Sequence, residues 1–413
     1  MTEINGGKFM EENKRRREQE RRRELRRRQV MRQRLMLGCG VLALVLILIV
    51  VLAVKGCSKK QKDIEARKTQ AAQKVEEKKD ETVSLLISAA GDCTLGTDEY
   101  FNYSTSLNAK FEEEGAAFFF ENVNPVFSQD DLTIVNMEGT LTEETSRAEG
   151  EQFAFKGDAD FADILVEGSV EAANLANNHT YDYGDKSYTD TIDALDKVGI
   201  PTFGYDRTAL MEIKGVKVGL LGTYELDLHM DCEEEMIENI ESLKEQGAQI
   251  IIATFHWGIE LDHVPNDTQV ALAHSAIDHG ADLVLGHHPH VLQGIETYKG
   301  KNIIYSLANF CFGGNSSPND MDSMIYQQTF TFKNGELQED NDTRVIPVKV
   351  SSVWETGMNN YQPTPVEGDT GQSIIDRIEE YSQSMAEEYG TEAAQIAQYG
   401  EARQTISGQE VEE

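Results

Sequence analysis

The stretch Ala281–Gly294, ADLVLGHHPHVLQG, places three of the chain's nine histidines in four positions, directly behind an apolar run that ends in glycine. A short apolar run bounded in this way is the pattern of a strand buried on both faces. Pro289 disfavours helix for the residue before it, so His288 reads as extended. Residues i and i+2 of an extended chain share a face. His288 and His290 are therefore expected to point together while His287 points away, with Gly286 letting the turn approach its neighbours closely.

Four other segments end in the same manner. SLLISAA runs into Gly91-Asp92, LTIV into Asn136 to Gly139, EAANLA into Asn177 to His179, and IIIATF into His256 to Gly258. Each delivers a carboxylate, amide or imidazole at the C-terminal end of a buried strand, where α/β sheets open their ligand crevice. Helical patterns alternate with these runs, in KSYTDTIDALDKVG, EEEMIENIESLKEQG and DTQVALAHSAIDHG, each closing on glycine. The later stretch VLQGIETYKGKNIIYSLANF reads as a hairpin around Lys299-Gly300. The fold class is α/β.

Taken singly, these polar residues have ordinary roles: Asp92 as a helix N-cap, Glu138 as a surface charge, Asn178 in a turn, His256 as a satisfied core histidine. Their shared position behind strand-like runs points instead to the donor set of a divalent-metal site, with Mn, Fe and Zn all compatible. Trp257 is assigned to packing, and His229, His263, His274 and His279 to structural roles.

Charge divides the 413 residues sharply. The net charge is −34, yet the first 34 residues carry thirteen Lys/Arg and six acids, leaving about −41 for the remainder. Between them lies Leu35 to Val54, LMLGCGVLALVLILIVVLAV, uncharged and without proline. Twenty helical residues span a bilayer's hydrocarbon core. A cleaved signal peptide fits poorly, because the run is too long and the basic region too extended. Lys55 likewise breaks the apolar box that a lipid-modified Cys57 requires. The segment reads as a transmembrane signal anchor with its basic arm (1–34) in the cytoplasm and everything after it outside. The arm's arginine clusters serve topology and lipid contact, with no nucleic acid as partner.

Residues 55–83 form a stalk, helical or disordered, rich in helix formers and nearly devoid of large apolar side chains. Residues 84–357 hold both tryptophans and all the histidines and form the extracellular domain. Residues 358–413 are an acidic segment with one amphipathic helix and a disordered tail. For Cys93 and Cys311, a disulfide and buried free thiols both stay open.

In order along the chain, GDCTLG, NMEGTLT, ANNHTYDYG followed by DTIDALDKVGIPTFG, TFHWGIE, GHHPHVLQG and YSLANF resemble the CapA-type poly-gamma-glutamate capsule biosynthesis proteins. That family belongs to the calcineurin-like metallophosphoesterase superfamily, and the resemblance covers roughly residues 84 to 350. It implies a sandwich of two mixed β-sheets flanked by helices and one or two divalent metal ions. By the same resemblance Asp92 holds one metal, Glu138 bridges two, Asn178 and His256 hold the second, His288 joins the second and His290 the first. His179 becomes the proton donor or substrate-stabilising group. Lys156, in FAFKGDADF, and Arg207, after the FGYD turn, are the basic substrate-binding residues expected near the crevice mouth. The sequence departs from the wider superfamily at two places: Thr94 stands where a histidine ligand is usual, and Glu138 replaces the bridging aspartate.

The function implied is a membrane-anchored, cell-surface hydrolase or transferase in synthesis or export of poly-gamma-glutamate or a related envelope polymer. Its partners are that anionic polymer or the membrane subunits of its synthase. A non-catalytic accessory subunit, or a metallophosphoesterase acting on a phosphorylated envelope component, are the alternatives.

Overall fold

The structure, a computed structural model, describes residues 81–338 and 342–394 together with helical positions scattered between Arg21 and Lys55. Met1–Asp80 and Glu81–Glu413 form separate compact units. Most of the expected stalk, and the tail beyond Ala394, lie outside the described residues. Within the expected anchor, positions 36, 37, 40 and 44–52 are helical. No helix among the described residues is long and apolar enough to cross a membrane.

From Glu81 onward the chain is a mixed α/β unit built on two mixed sheets. One sheet runs Thr364–Pro365, Asp342–Lys349, Asp322–Lys333, Thr82–Thr94, Leu132–Met137, Ala172–Asn174, Thr202–Phe203, with Asn309–Phe312 also paired to Thr82–Thr94. Its last four strands are parallel, and its first four are joined antiparallel. The other runs Ile295–Tyr298, Lys301–Ile304, Leu283–His287, Ile250–His256, Val216–Tyr224, Ala209–Ile213. Its four central strands are parallel, with an antiparallel hairpin at each edge.

The sheets share a core. Leu85, Ile87 and Ala89 from one sheet and Val218, Leu220, Ile250, Ile252, Leu283 and Leu285 from the other belong to a single buried cluster. They alternate along their strands because side chains in a strand alternate between faces. The intervening residues are covered by helices: Phe119, Phe127, Ile164 and Leu195 pack on the first sheet, and Met236, Ile240, Leu243 and Leu272 on the second. Burial on both faces is why the parallel strands read as continuous apolar runs.

Local chemistry sets the connections. Helix Asp267–His279 begins at Asn266, whose side chain accepts from the Gln269 N–H in a capping box, and ends at Gly280 with φ 110°. Lys299 (φ 50°) and Gly300 (φ 76°) make the tight hairpin turn. Gly91 and Gly286 are required by close backbone approach: a Cβ on either would stand 2.0 Å from a carbonyl oxygen, of Ala308 and Tyr305 respectively.

Strand register aligns the ends that carry chemistry. Asp92, Asn136 and Asn174 are neighbours across one sheet, and Tyr224, His256 and His287 across the other. Cys93, Cys232 and Cys311 are free and buried, so Cys93 and Cys311 form no disulfide. Helix Gly368–Tyr389 is the amphipathic C-terminal segment, and its Ile374, Ile375 and Ile378 enter the core shared by the sheets. The folded unit thus runs past residue 357.

Truncating Ile378, fully buried, leaves a cavity that neighbouring side chains fill only in part. Ile378→Ala is expected to lower unfolding free energy by about 2–5 kcal/mol, measured by urea denaturation. A loss below about 0.5 kcal/mol, the range of ordinary surface substitutions, would show that the helix is not part of the core.

Candidate metal centre

A row of buried amides ties the strand ends together. Asn136 Nδ2 donates to Asp92 Oδ1 at 2.8 Å and lies 3.2 Å from His256 Nδ1. Its Oδ1 accepts from Asn174 Nδ2 at 2.9 Å and Asn177 Nδ2 at 3.3 Å. This amide fixes the Asp92 carboxylate against the His256 ring, one from each sheet.

Around that frame stand the carboxylates and imidazoles. Glu138 is fully buried, with Oε1 3.7 Å from His256 Nε2 and 3.8 Å from His290 Nε2. His256 Nε2 is 2.7 Å from Asn178 Oδ1. His290 Nδ1 lies 3.3 Å from Asp92 Oδ2, and the His288 and His256 ring centroids are 4.8 Å apart. Asp92, Glu138, Asn178, His256, His288 and His290 thus surround one small region.

These residues fit a cation. Three groups bring ligand atoms within 4.8 Å of one another: Asp92, Glu138 and His290; Glu138, His256 and His288; Glu260, His288 and His290. Glu138 belongs to two of them. Both of its carboxylate oxygens, and Nδ1 of His288, are buried without a hydrogen-bond partner. Buried polar atoms are rarely left so, and an unpaired buried carboxylate is costly unless a cation or donors meet it. The contacts from Glu138 to the two imidazoles are too long for hydrogen bonds. Carboxylate, amide and neutral imidazole are the donors a divalent transition metal takes.

Protonation follows from the same burial. Desolvation, reinforced by the neighbouring histidines, holds His256 well below the usual imidazole range and pushes His288 down to about 3. Both are neutral, as metal ligands must be. Burial also raises Glu138, and Asp92 adds to it, to about 7. For His290 burial opposes the charge, yet Glu138 and the Asp92 contact outweigh it and push the ring up to about 10. Asp92 is held well below the carboxylate range by His287 and His290 despite its burial.

The GHHPH turn differs from its expected form. His288 has φ 96° and His290 φ 57°, both in the left-handed region, so neither is extended. Pro289 disfavours the right-handed helical region for His288 but leaves this alternative open. The chain takes it because the His288 N–H donates to Asp92 Oδ2 at 3.3 Å and the Pro289 carbonyl accepts from Leu261 N–H at 2.8 Å. Left-handed non-glycine residues store about 1–3 kcal/mol each and persist only where their surroundings hold them. His287 does not point away: it is the last residue of its strand, buried, with Nδ1 3.1 Å from Asp92 Oδ1.

Some residues at the site carried no sequence signal. Asp182 takes His179 Nδ1 at 2.9 Å on Oδ2, the oxygen that also accepts the Phe155 N–H at 2.5 Å. This contact raises the His179 pKa against the effect of its burial. Glu260 comes within reach of His288 and His290 from the loop after His256. Lys156 Nζ donates to the Glu144 carbonyl at 2.7 Å and lies over the Tyr183 ring, while Arg207 donates to Thr202 Oγ1 at 3.1 Å. Neither lines the cavity of about 650 Å³ that adjoins His179 and His290. His263, His274 and His279 have partners away from the cluster, in the Leu292 carbonyl, Glu296 and the Ser275 carbonyl, and His229 pairs with Glu225.

Two outcomes follow for metal uptake. A cation must displace the proton held by His290 and, near neutrality, the one partly held by Glu138, so binding releases protons and weakens as pH falls. Calorimetric titration with Mn²⁺ in buffers of different ionisation enthalpy is expected to show proton release, with affinity dropping about tenfold per pH unit for each proton displaced. A pH-independent affinity between 6 and 8 would contradict this. Removing the His287 hold on Asp92 is expected to weaken metal binding about 10–100-fold, read by the same titration on His287→Ala. An unchanged constant would leave His287 with packing alone.

The chain matches the family described as "Bacterial capsule synthesis protein PGA_cap" over residues 86–314. It is 30% identical over 221 residues to "PGA biosynthesis protein CapA" of Bacillus subtilis, covering 49% of this chain and 58% of that one. It is 27% identical over 271 residues to "Capsule biosynthesis protein CapA" of Bacillus anthracis, covering 60% and 64%. To a "Probable polyglutamine synthesis accessory protein" of Mycobacterium tuberculosis it is 25% identical over 256 residues, covering 54% and 66%. The chain therefore spans less than two thirds of the length of these curated relatives. The family match covers more than half of the chain and runs through every strand end that contributes to the cluster. This protein belongs to the bacterial capsule synthesis protein PGA_cap family.

Proposed function

We propose that this chain is a membrane-anchored, cell-surface, metal-dependent hydrolase or transferase in the synthesis or export of poly-gamma-glutamate or a related envelope polymer. The observation that carries the reading is Glu138, a buried carboxylate with no donor, standing between two sets of ligand side chains. Two mixed sheets with a shared core and a cluster at their C-terminal ends support the calcineurin-like metallophosphoesterase fold. The relatives named for capsule and polymer synthesis support the biological setting.

Asp92, Glu138 and His290 would hold one cation, and Glu138, Asn178, His256 and His288 a second, with Mn, Fe and Zn all suited to these donors. When bound, such cations lower the pKa of a water and polarise the bond it attacks. The protein's own part is positional. Asn136 holds Asp92 and His256 in place, and Asp182 engages Nδ1 of His179, leaving its Nε2 to hand a proton to a leaving group. The large apolar side chains Leu44 to Leu52 are all exposed, which suits a lipid environment, and the basic arm before them suits the cytoplasmic side.

A second reading is a non-catalytic accessory subunit that binds polymer or its synthase. Thr94, whose buried Oγ1 has no partner where a histidine ligand is usual in the wider superfamily, favours it, as does the accessory name of the mycobacterial relative. Polymer output from cells carrying full-length variants separates the two. On the catalytic reading His179→Ala, with metal retained, lowers output by about 10²–10⁴-fold, the usual contribution of a positioned proton donor. Undiminished output from His179→Ala and from a His256→Ala/His288→Ala/His290→Ala chain would leave the accessory role.

A further inference from the structure

The loop that follows His256 carries a carboxylate that the cluster does not bury. Asp92, Glu138 and His256 are fully buried, whereas Glu260 is exposed and lines the cavity of about 650 Å³ together with His179 and His290. Its carboxylate and the His288 and His290 ring nitrogens lie within 4.8 Å of one another. Glu260 thus stands where the cavity meets the cluster.

The backbone on both sides of Glu260 is held in place. Gly258 has φ 85°, and a Cβ there would stand 2.6 Å from Gln269 Oε1. Its N–H donates to the buried Glu225 carboxylate at 3.2 Å. Leu261 has φ 63° with its side chain 64% exposed. A leucine in the left-handed region is strained and persists only where its surroundings hold it. Burial of its own side chain is not what holds this one. Its N–H donates to the Pro289 carbonyl at 2.8 Å, which fastens the loop to the turn presenting His288 and His290. The strained conformation therefore keeps residue 260 beside those two imidazoles.

The side chain itself is uncommitted. Of the two acids lining the cavity, Asp320 is paired with Arg377 at 2.9 Å, while Glu260 has no side-chain hydrogen bond or ion pair among the described residues. Asp92, Glu138 and His290 give one cation three protein donors, fewer than a tetrahedral or octahedral transition metal takes. Glu260 is within reach to supply another. An exposed carboxylate returns to water at little cost, which a buried one such as Glu138 cannot do.

We propose that Glu260 is an exchangeable ligand: its carboxylate occupies a cation of the cluster from the cavity side, and an oxyanion of the reactant, carboxylate or phosphoryl, displaces it. The inference rests on the metal reading of the cluster and adds to it the residue that yields its place to the reactant. Glu260 then both supports metal binding and competes with an anionic reactant.

The test is Mn²⁺ binding to the full-length protein in detergent, followed by calorimetry and by water-proton relaxation, which rises with the exchanging water on the bound ion. The variants are Glu260→Gln, which removes the charge, and Glu260→Asp, which keeps the charge and shortens the reach. The position is exposed, so neither should shift the melting temperature. Both are expected to bind Mn²⁺ about tenfold more weakly than the parent and to show higher relaxation per bound ion, as water enters the vacated position. Acetate and inorganic phosphate are then titrated separately into the Mn²⁺-loaded proteins. At least one is expected to half-saturate Glu260→Gln at about a tenfold lower concentration than the parent, acetate marking a carboxylate reactant and phosphate a phosphoryl one. Unchanged Mn²⁺ affinity and relaxation in both variants would overturn the inference and leave the metal reading intact. Effects confined to Glu260→Gln would also overturn it, by reducing Glu260 to a background charge. Weaker Mn²⁺ binding without a gain for either anion would do the same, by making it a permanent ligand. A parent protein that binds no Mn²⁺ would sink the metal reading and the inference with it.

Discussion

A carboxylate without a donor governs this structure. Glu138 sits fully buried between the ends of two sheets, and both of its oxygens lack a hydrogen-bond partner. Such a group is tolerable where opposite charge meets it. The His290 imidazole, held in its charged form, approaches to 3.8 Å and the neutral His256 ring to 3.7 Å, and Asp92 lies on the far side of His290. The sheet register, the amide row through Asn136 and the left-handed turn at His288 and His290 all serve to bring these groups to that point.

The fold and the cluster were legible in the sequence to different depths. Apolar runs ending in polar residues marked the parallel strands, because helices on both outer faces leave those strands no solvent side. The same feature placed Asp92, His256 and the GHHPH turn at one crevice, since parallel strands share an end. Which way each side chain turns was not legible. His287 looked outward on the assumption of an extended chain, yet a backbone hydrogen bond from His288 to Asp92 bends the segment and leaves His287 in the strand. That bond joins residues 196 positions apart, and spacing along a chain carries no information about it. The C-terminal helix was visible as an amphipathic pattern, but its partner, the core shared by both sheets, was not.

Charge shows a similar division between what composition says and what geometry decides. A balance near −41 outside the arm suggests repulsion of any anionic polymer. Salt screens such repulsion beyond about 8 Å, so the groups at the cavity decide. Lys156 donates to the Glu144 carbonyl and Arg207 to Thr202, while Glu260 and Asp320 line the cavity. Among the described residues, the buried carboxylates and imidazoles of the cluster are the cation-seeking feature beside that cavity.

Metal content per chain tests this account most directly. Elemental analysis of the full-length protein, beside its His288→Ala/His290→Ala form, is predicted to find one or two equivalents of a divalent transition metal in the parent and little in the variant. A parent chain that stays free of metal after incubation with Mn²⁺, Fe²⁺ and Zn²⁺ would contradict the central claim that Glu138 is buried to meet a cation.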